Sequence, residues 1–313
     1  MIAGPAPDTL RLGAMDFSGL IAYPLTPFDD SGEVSAGDLR ILLDTLASSD
    51  VDAVTVLGSS GSFAYLSTTE RRDVVRTAVD AVAGRVPVAV GISSVGTREV
   101  LEAATDAQAA GAAGLVLSPV SYVPLTENEV LAQVRAVSAE TDLPVCLYNN
   151  PGTTQFDYTL PLVAELAELP SVVAFKDTAA DARAFNQRRS ELTSLLTGEL
   201  LHGVSGDSLM LSGEVAADAW HSGPAAMLPH AYARLRRAVV GRDPSEVERI
   251  RRVLGPIVDR VGSLRKISGL HLLARACGVA AGAPRPPLLP APGSELRELG
   301  RLLDALEAEL GEA

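Results

Sequence analysis

From residue 20 onward the chain repeats one arrangement: a short run of β-formers followed by a longer amphipathic or alanine-rich stretch. Parallel strands need a crossover of a dozen or more residues to bring the chain back to the same end of a sheet, so this spacing specifies βα units and not hairpins or a helical bundle. The runs fall near Leu20–Tyr23, Ala53–Leu57, Val86–Gly91, Gly114–Leu117, Val145–Asn149, Val172–Lys176, Leu200–Val204 and Asp218–Ser222. Helices are predicted between them at Ala36–Ala47, Thr69–Val82, Thr97–Ala109, Glu127–Ala139 and Thr159–Leu166. Ser67-Thr68-Thr69-Glu70 and Thr126-Glu127-Asn128-Glu129 offer hydroxyl caps with carboxylates in the first turn, and Gly84 and Gly111 suit helix stops. Eight such units predict an α/β fold, a (β/α)8 barrel over residues 16–230. Residues 231–313 read as three or four helices, broken at Gly241-Arg242-Asp243-Pro244 and at the proline-rich stretch Pro284–Pro292. They form a helical appendage, and residues 1–15 read as a flexible arm with neither the basic start nor the apolar run of a signal peptide.

Composition narrows the function classes. A net charge of −13 argues against broad attraction to nucleic acid or anionic lipid, and 4% aromatic content leaves little for base-stacking platforms. No stretch is long and apolar enough to suggest a membrane span. The two cysteines, Cys146 and Cys277, have neither CxxC spacing nor the makings of a disulfide framework, which fits a reducing cytoplasm. Cys146, within Pro144-Val145-Cys146-Leu147-Tyr148, reads as a small core residue.

Of the 26 basic residues only two are lysines, Lys176 and Lys266. Lys176 closes the apolar run Ser171-Val172-Val173-Ala174-Phe175, where arginine would solvate a surface equally well but could not deprotonate to become a nucleophile. Two readings stand: an amine desolvated by apolar walls and able to attack a carbonyl, or a lysine that snorkels from the strand end or pairs with Asp177. In a barrel the carboxyl ends of all strands face one mouth, so separated residues converge there. Tyr148 ends the neighbouring strand, about 4.8 Å away. It either moves protons for the amine or packs its ring and satisfies its hydroxyl on backbone. Gly58-Ser59-Ser60-Gly61-Ser62, after the second strand, can present N–H groups and hydroxyls to a carboxylate, or is simply a turn. Gly203-Val204-Ser205-Gly206-Asp207 can hold a phosphate, or give a ligand's carboxylate or imine room against bare backbone. His202 and His221, on consecutive strands, could meet at the mouth, but no further ligands are nominated, so the four histidines are read as polar pocket or structural residues. No Walker loop and no GxGxxG follows the first strand. Neither metal nor organic cofactor is expected.

Taken in order, Pro24-Leu25-Thr26-Pro27-Phe28, Gly58-Ser59-Ser60-Gly61, Leu66-Ser67, Gly84-Arg85-Val86-Pro87-Val88, Tyr148-Asn149, Lys176-Asp177 and Ser205-Gly206-Asp207 resemble the dihydrodipicolinate synthase/N-acetylneuraminate lyase family across roughly residues 17 to 290. The resemblance implies a barrel with a C-terminal helical region, usually a homotetramer and otherwise a dimer, that binds pyruvate or a related 2-oxo acid through a lysine imine. It implies Lys176 as the imine lysine, Tyr148 as the proton-transfer phenol and Ser59 as the relay hydroxyl. Ser60 would help hold the carboxylate and Gly206 would line the site by its backbone.

The departures bear on the second substrate. Thr153 stands where synthases carry an arginine that grips a carboxylate, and Ser62 replaces an acidic residue. Val120-Ser121 occupies the place of a paired intersubunit aromatic, with Tyr122 displaced by one position; Ala226 replaces an asparagine, and His221 takes a position normally aliphatic. The expected activity is a class I aldolase or lyase joining or splitting a 2-oxo acid and an aldehyde. Alternatives are 4-hydroxy-tetrahydrodipicolinate synthase with an altered carboxylate clamp, a sialic-acid or 2-keto-3-deoxy-sugar-acid lyase, and a catalytically silent 2-oxo acid-binding barrel.

Overall fold

The computed structural model describes residues 15–311. Eight parallel strands, β1 (Gly19–Ala22), β2 (Ala53–Val56), β3 (Val88–Gly91), β4 (Gly114–Leu117), β5 (Val145–Tyr148), β6 (Val172–Asp177), β7 (Leu201–Ser205) and β8 (Ala219–Ser222), close into a barrel in sequential order, with β8 returning to β1. All eight expected runs are strands, with ends within a residue or two. Around them run α1 (Ala36–Ala47), α2 (Thr68–Val82), α3 (Thr97–Ala110), α4 (Glu127–Glu140), α5 (Pro151–Thr154), α6 (Leu160–Leu166), α7 (Ala182–Leu195) and α8 (Asp207–Leu211). The chain continues through α9 (Pro229–Val240), α10 (Pro244–Ser263), α11 (Lys266–Ala276) and α12 (Ser294–Leu310). Most of α9 was expected in the appendage; it follows β8 directly and packs against β1, so it serves as the barrel's last helix.

Both expected capping boxes form: Ser67 and Thr126 each accept from the backbone N–H three residues on, while Glu70 and Glu129 return the bond to the cap N–H. Gly111 stops α3 with φ +89°, but α2 is stopped one residue earlier than expected, by Ala83 in the left-handed region before Gly84. Glu70 also anchors the chain between α11 and α12. Arg285 donates to its carboxylate at 2.6 Å and to the carbonyls of Gly32 and Tyr65, and lies over the Phe28 ring.

The barrel interior follows from the strand register. Walking around the pairings with the stagger of about one residue per strand that an eight-stranded barrel requires, the path closes on itself. It joins Thr55, Val116, Lys176 and His221, from alternate strands, in one layer. The same walk puts Tyr23, Gly91, Tyr148 and Ser205 above it, and Ile21, Ala89, Cys146 and Gly203 below it. Lowest are Ala53, Gly114, Ala174 and Ala219, too small to fill the barrel. Phe17 completes the floor: it is fully buried, and its ring occupies the space where a side chain on Gly114 would begin. Residues 1–14 of the expected arm lie outside the described residues. Met15 is buried against this floor, its N–H bonded to the Ala113 carbonyl.

Two outcomes follow. Phe17→Ala should cost about 3–5 kcal/mol of stability, the usual price of an aromatic cavity, measured by chemical denaturation. The hydrogen bond from Arg285 holds the Glu70 carboxyl at about 2 against an ordinary 4.5, so its contribution to stability is complete above pH 4.5 and is lost as pH falls towards 2. Arg285→Met should flatten that stretch of a melting-temperature profile.

Candidate active site

Lys176 stands in the interior layer just below the mouth, and its side chain rises between two rings of the layer above. Its Nζ lies 3.7 Å from the centroid of Tyr148 on β5 and 3.8 Å from that of Tyr23, at the end of β1 across the barrel. Only 4% of the lysine is exposed. The snorkelling reading is thereby excluded, and so is pairing with Asp177, because successive strand residues face opposite sides. Asp177 points outward, accepting from Asn149, Arg188 and the Thr178 N–H and meeting His202. His202 packs with Phe175 and Phe185 on that outer face while His221 faces inward, so the two histidines do not meet at the mouth. Among the described residues no three His, Cys, Asp or Glu side chains gather as a metal site.

Burial lowers the proton affinity of the Lys176 amine; the Tyr148 phenol opposes this and the positive charge of Lys266 adds to it, and the net shift is downward. For Tyr148 burial acts upward, but the charge of Lys176, that of Lys266 and hydrogen bonding to Ser205 and Lys176 prevail, so its phenol also shifts down. Amine and phenol thus both hold their protons less tightly than usual, and they lie close enough for a proton to pass between them. Cys146, below them, is pushed up to about 12 by burial and behaves as the inert core thiol expected from the sequence.

Tyr23 was not singled out from the sequence. The signal was available: it directly follows β1, shares the inward parity of Ile21, and precedes the Pro24–Phe28 motif. Its hydroxyl meets His221 Nδ1 at 3.0 Å, and burial holds His221 neutral, well below the ordinary histidine range. Each ring rests over a glycine. A Cβ on Gly58 would lie 2.6 Å from Tyr23 Cδ1, and one on Gly203 would lie 2.3 Å from His221 Nε2.

The loop after β2 reaches the same mouth. Thr26 of the Pro24–Phe28 motif donates to the Gly61 carbonyl at 2.7 Å and holds the turn, in which Ser59 is half-buried and Ser60 buried. The Ser60 hydroxyl faces Gly223, just beyond β8. On the opposite side Gly206, with φ +134°, leads from β7 into α8, where Asp207 accepts from the hydroxyls of Ser222 and Tyr232 and fixes the turn. Two candidates stay outside this cluster. Thr153 is exposed on α5, and Tyr122 is 91% exposed.

The sequence profile of the dihydrodipicolinate synthetase family matches residues 16–306. A 4-hydroxy-tetrahydrodipicolinate synthase of Stenotrophomonas maltophilia K279a is 32% identical over 88% of this chain and 92% of its own. Among solved structures, dihydrodipicolinate synthase from Agrobacterium tumefaciens C58 superposes with a TM-score of 0.87 at 33% identity, covering 93% of this chain and 98% of that one. YagE, a prophage protein of Escherichia coli K12 solved in complex with pyruvate, superposes with a TM-score of 0.85 at 26% identity, covering 93% and 99%. It carries the provisional name of a 2-dehydro-3-deoxy-D-gluconate aldolase. A buried lysine between strand-end phenols, on a barrel that matches this family almost end to end, leads to one conclusion: the chain belongs to the dihydrodipicolinate synthetase family and is an enzyme of its class I, Schiff-base-forming lyase and aldolase chemistry.

Proposed function

We propose that Lys176 is the imine-forming residue, that pyruvate or a closely related 2-oxo acid is the donor, and that a neutral or hydroxylated aldehyde, not aspartate semialdehyde, is the acceptor. The observation that carries this is the enclosure of the Lys176 amine between the Tyr23 and Tyr148 rings at the mouth end of β6. The neutral amine adds to the ketone carbon. The resulting carbinolamine loses its hydroxyl as water, with Tyr148 supplying the proton, aided by the hydroxyl of Ser59. The protonated imine draws electrons from the adjacent C3, a proton leaves, and the enamine carbon attacks the aldehyde, whose oxygen takes up a proton. Water then adds to the imine and frees the amine; cleavage runs the same steps in reverse. Ser60 and the backbone at Gly206 hold the carboxylate and imine end of the donor, with His221 behind them.

Thr153, exposed and outside the cluster, bears on the acceptor through what it lacks: it is too short and uncharged to reach back to a carboxylate in the mouth as an arginine at this place would. It cannot make the bidentate ionic contact of an arginine, which forfeits a charged hydrogen bond of about 1.5–3 kcal/mol, or roughly ten- to a hundredfold in discrimination. A 2-keto-3-deoxy sugar acid, already hydroxylated along its acceptor half, is supported by the likeness to YagE. The exposed apolar side chains Val95, Tyr122 and Val123 on the loops after β3 and β4 support assembly as a homo-oligomer, dimer or tetramer, and a cytoplasmic setting fits the free cysteines.

Reductive trapping tests the assignment directly. Incubation with pyruvate and borohydride, followed by digestion and mass mapping, should modify the Lys176 peptide; the only other lysine, Lys266, provides an internal control, and a modified Lys266 alone would refute the reading. The rate of trapping should rise with pH and reach its plateau below the ordinary lysine value of 10.5, because burial lowers the amine. Tyr148→Phe should slow trapping and turnover at least tenfold without unfolding the barrel. In steady-state assays, neutral and hydroxylated aldehydes should outperform aspartate semialdehyde; a clear preference for the semialdehyde would establish synthase activity instead.

A further inference from the structure

The imine site has a second aromatic wall that faces Tyr148 across the barrel. Tyr23 presents its ring face to the Lys176 amine at 3.8 Å, nearly the distance at which Tyr148 presents its own. Strands β1 and β5 lie on opposite sides of the closed barrel, so the two rings enclose the nitrogen from both sides. A cation between two desolvated ring faces is held by both quadrupoles.

The ring is also held in place. Its hydroxyl is engaged by His221 Nδ1, so it cannot turn its edge towards the amine without breaking a buried hydrogen bond. Gly58 supplies the space under the Tyr23 ring and Gly203 the space under the imidazole. Four positions on β1, β7, β8 and the loop after β2 thus share one purpose. Beside them His221 Nε2 is buried without a hydrogen-bond partner, a cost that plain apolar packing would have avoided.

We infer that Tyr23, oriented by His221, is a positioning residue of the imine site, the second face of an aromatic clamp that stabilises the positive charge on the Lys176 nitrogen in the protonated amine and the protonated imine. The inference rests on Lys176 being the imine lysine. It departs from a purely steric role, in which Tyr23 would only fill the barrel and any side chain of similar bulk would serve.

The titratable groups facing the amine are Tyr148 and Cys146 from β5, Tyr23 from β1, His221 from β8 and Lys266 at the start of α11. Of these only the ring of Tyr23 is altered by the test. With just two lysines in the chain, carbon-detected NMR on isotopically labelled lysine resolves the titration of Lys176 without relying on turnover. Removing a ring face disfavours the cation, so Tyr23→Leu should move the Lys176 titration and the acid limb of pyruvate trapping to lower pH by about one unit, and lower kcat by about tenfold, the range of a desolvated cation–π contact. Tyr23→Phe keeps the face and loses only the hydroxyl by which His221 orients it, so its limb should stay closer to that of the wild type than to that of the leucine variant.

Should the leucine variant fail to fold, phenylalanines carrying increasing numbers of fluorines, incorporated at position 23, weaken the ring's negative face at nearly constant shape. The limb should step downward along that series. A flat series, or a phenylalanine variant shifted as far as leucine, overturns the clamp. Failure of the wild-type enzyme to trap pyruvate on Lys176 would refute the imine assignment, whereas intact trapping with an unmoved titration would refute the clamp alone.

Discussion

One amine taken out of water organises this molecule. Burying a lysine ammonium without compensation is expensive, and the protein does not compensate Lys176 with a carboxylate, which would lock it in the charged, unreactive form. Instead the nitrogen sits between ring faces, which favour the cation modestly, and near a phenol whose own proton affinity is pulled down by the same amine. Desolvation and aromatic contact act in opposite directions on one proton. Desolvation prevails, which frees the amine as a nucleophile in one step, while the ring faces favour the cationic electron sink of the next.

The scaffold makes that balance possible by separating charge across the thickness of a strand. Lys176 and Asp177 are adjacent in sequence, yet one faces the barrel interior and the other the helical layer, where Asn149, Arg188 and His202 engage the carboxylate. The ion pair Arg188–Asp177 neutralises the acid on the outside of the barrel and ties β6 to α7, while Asn149 after β5 and His202 at the start of β7 meet the same carboxylate. The acid therefore stiffens the strand that carries the lysine while leaving the amine unpaired. A one-residue slip of β6 would exchange the two faces, putting the carboxylate in the mouth and the amine against α7.

Much of this was legible in the sequence because it depends on local pattern. Strand runs, capping boxes and the unusual lysine at the end of an apolar run are one-dimensional signals, and they located β1 to β8 and the Lys176–Tyr148 neighbourhood. What escaped depends on the closure of the barrel. Tyr23 becomes a neighbour of Lys176 only when β1 and β8 meet, and His202 and His221 part company only when register fixes which faces inward. Phe17 precedes the first strand run and carries no signal of its own, yet the small residues Ala53, Gly114, Ala174 and Ala219 leave a space at the barrel floor that its ring fills. Helix stops were legible as places and less so as residues, since Ala83 adopts the left-handed turn beside an available glycine.

The same geometry separates the parts of the site that the fold fixes from those that it leaves free to vary. The layer of Thr55, Val116, Lys176 and His221 and the layer of Tyr23, Gly91, Tyr148 and Ser205 are built by strands, whose register leaves little freedom. Thr153, Ser62 and Tyr122 lie on connections beyond the strands, where substitution leaves the strand register and the amine in place. His221 differs in lying within a strand, where its imidazole is accommodated because Gly203 on the neighbouring strand has no side chain. Substitution on the loops leaves the barrel wall untouched, whereas a bulky ring in the wall requires a matching glycine opposite. That requirement makes Tyr23 with Gly58, and His221 with Gly203, two coupled pairs whose members cannot be exchanged singly without steric conflict or an unfilled space.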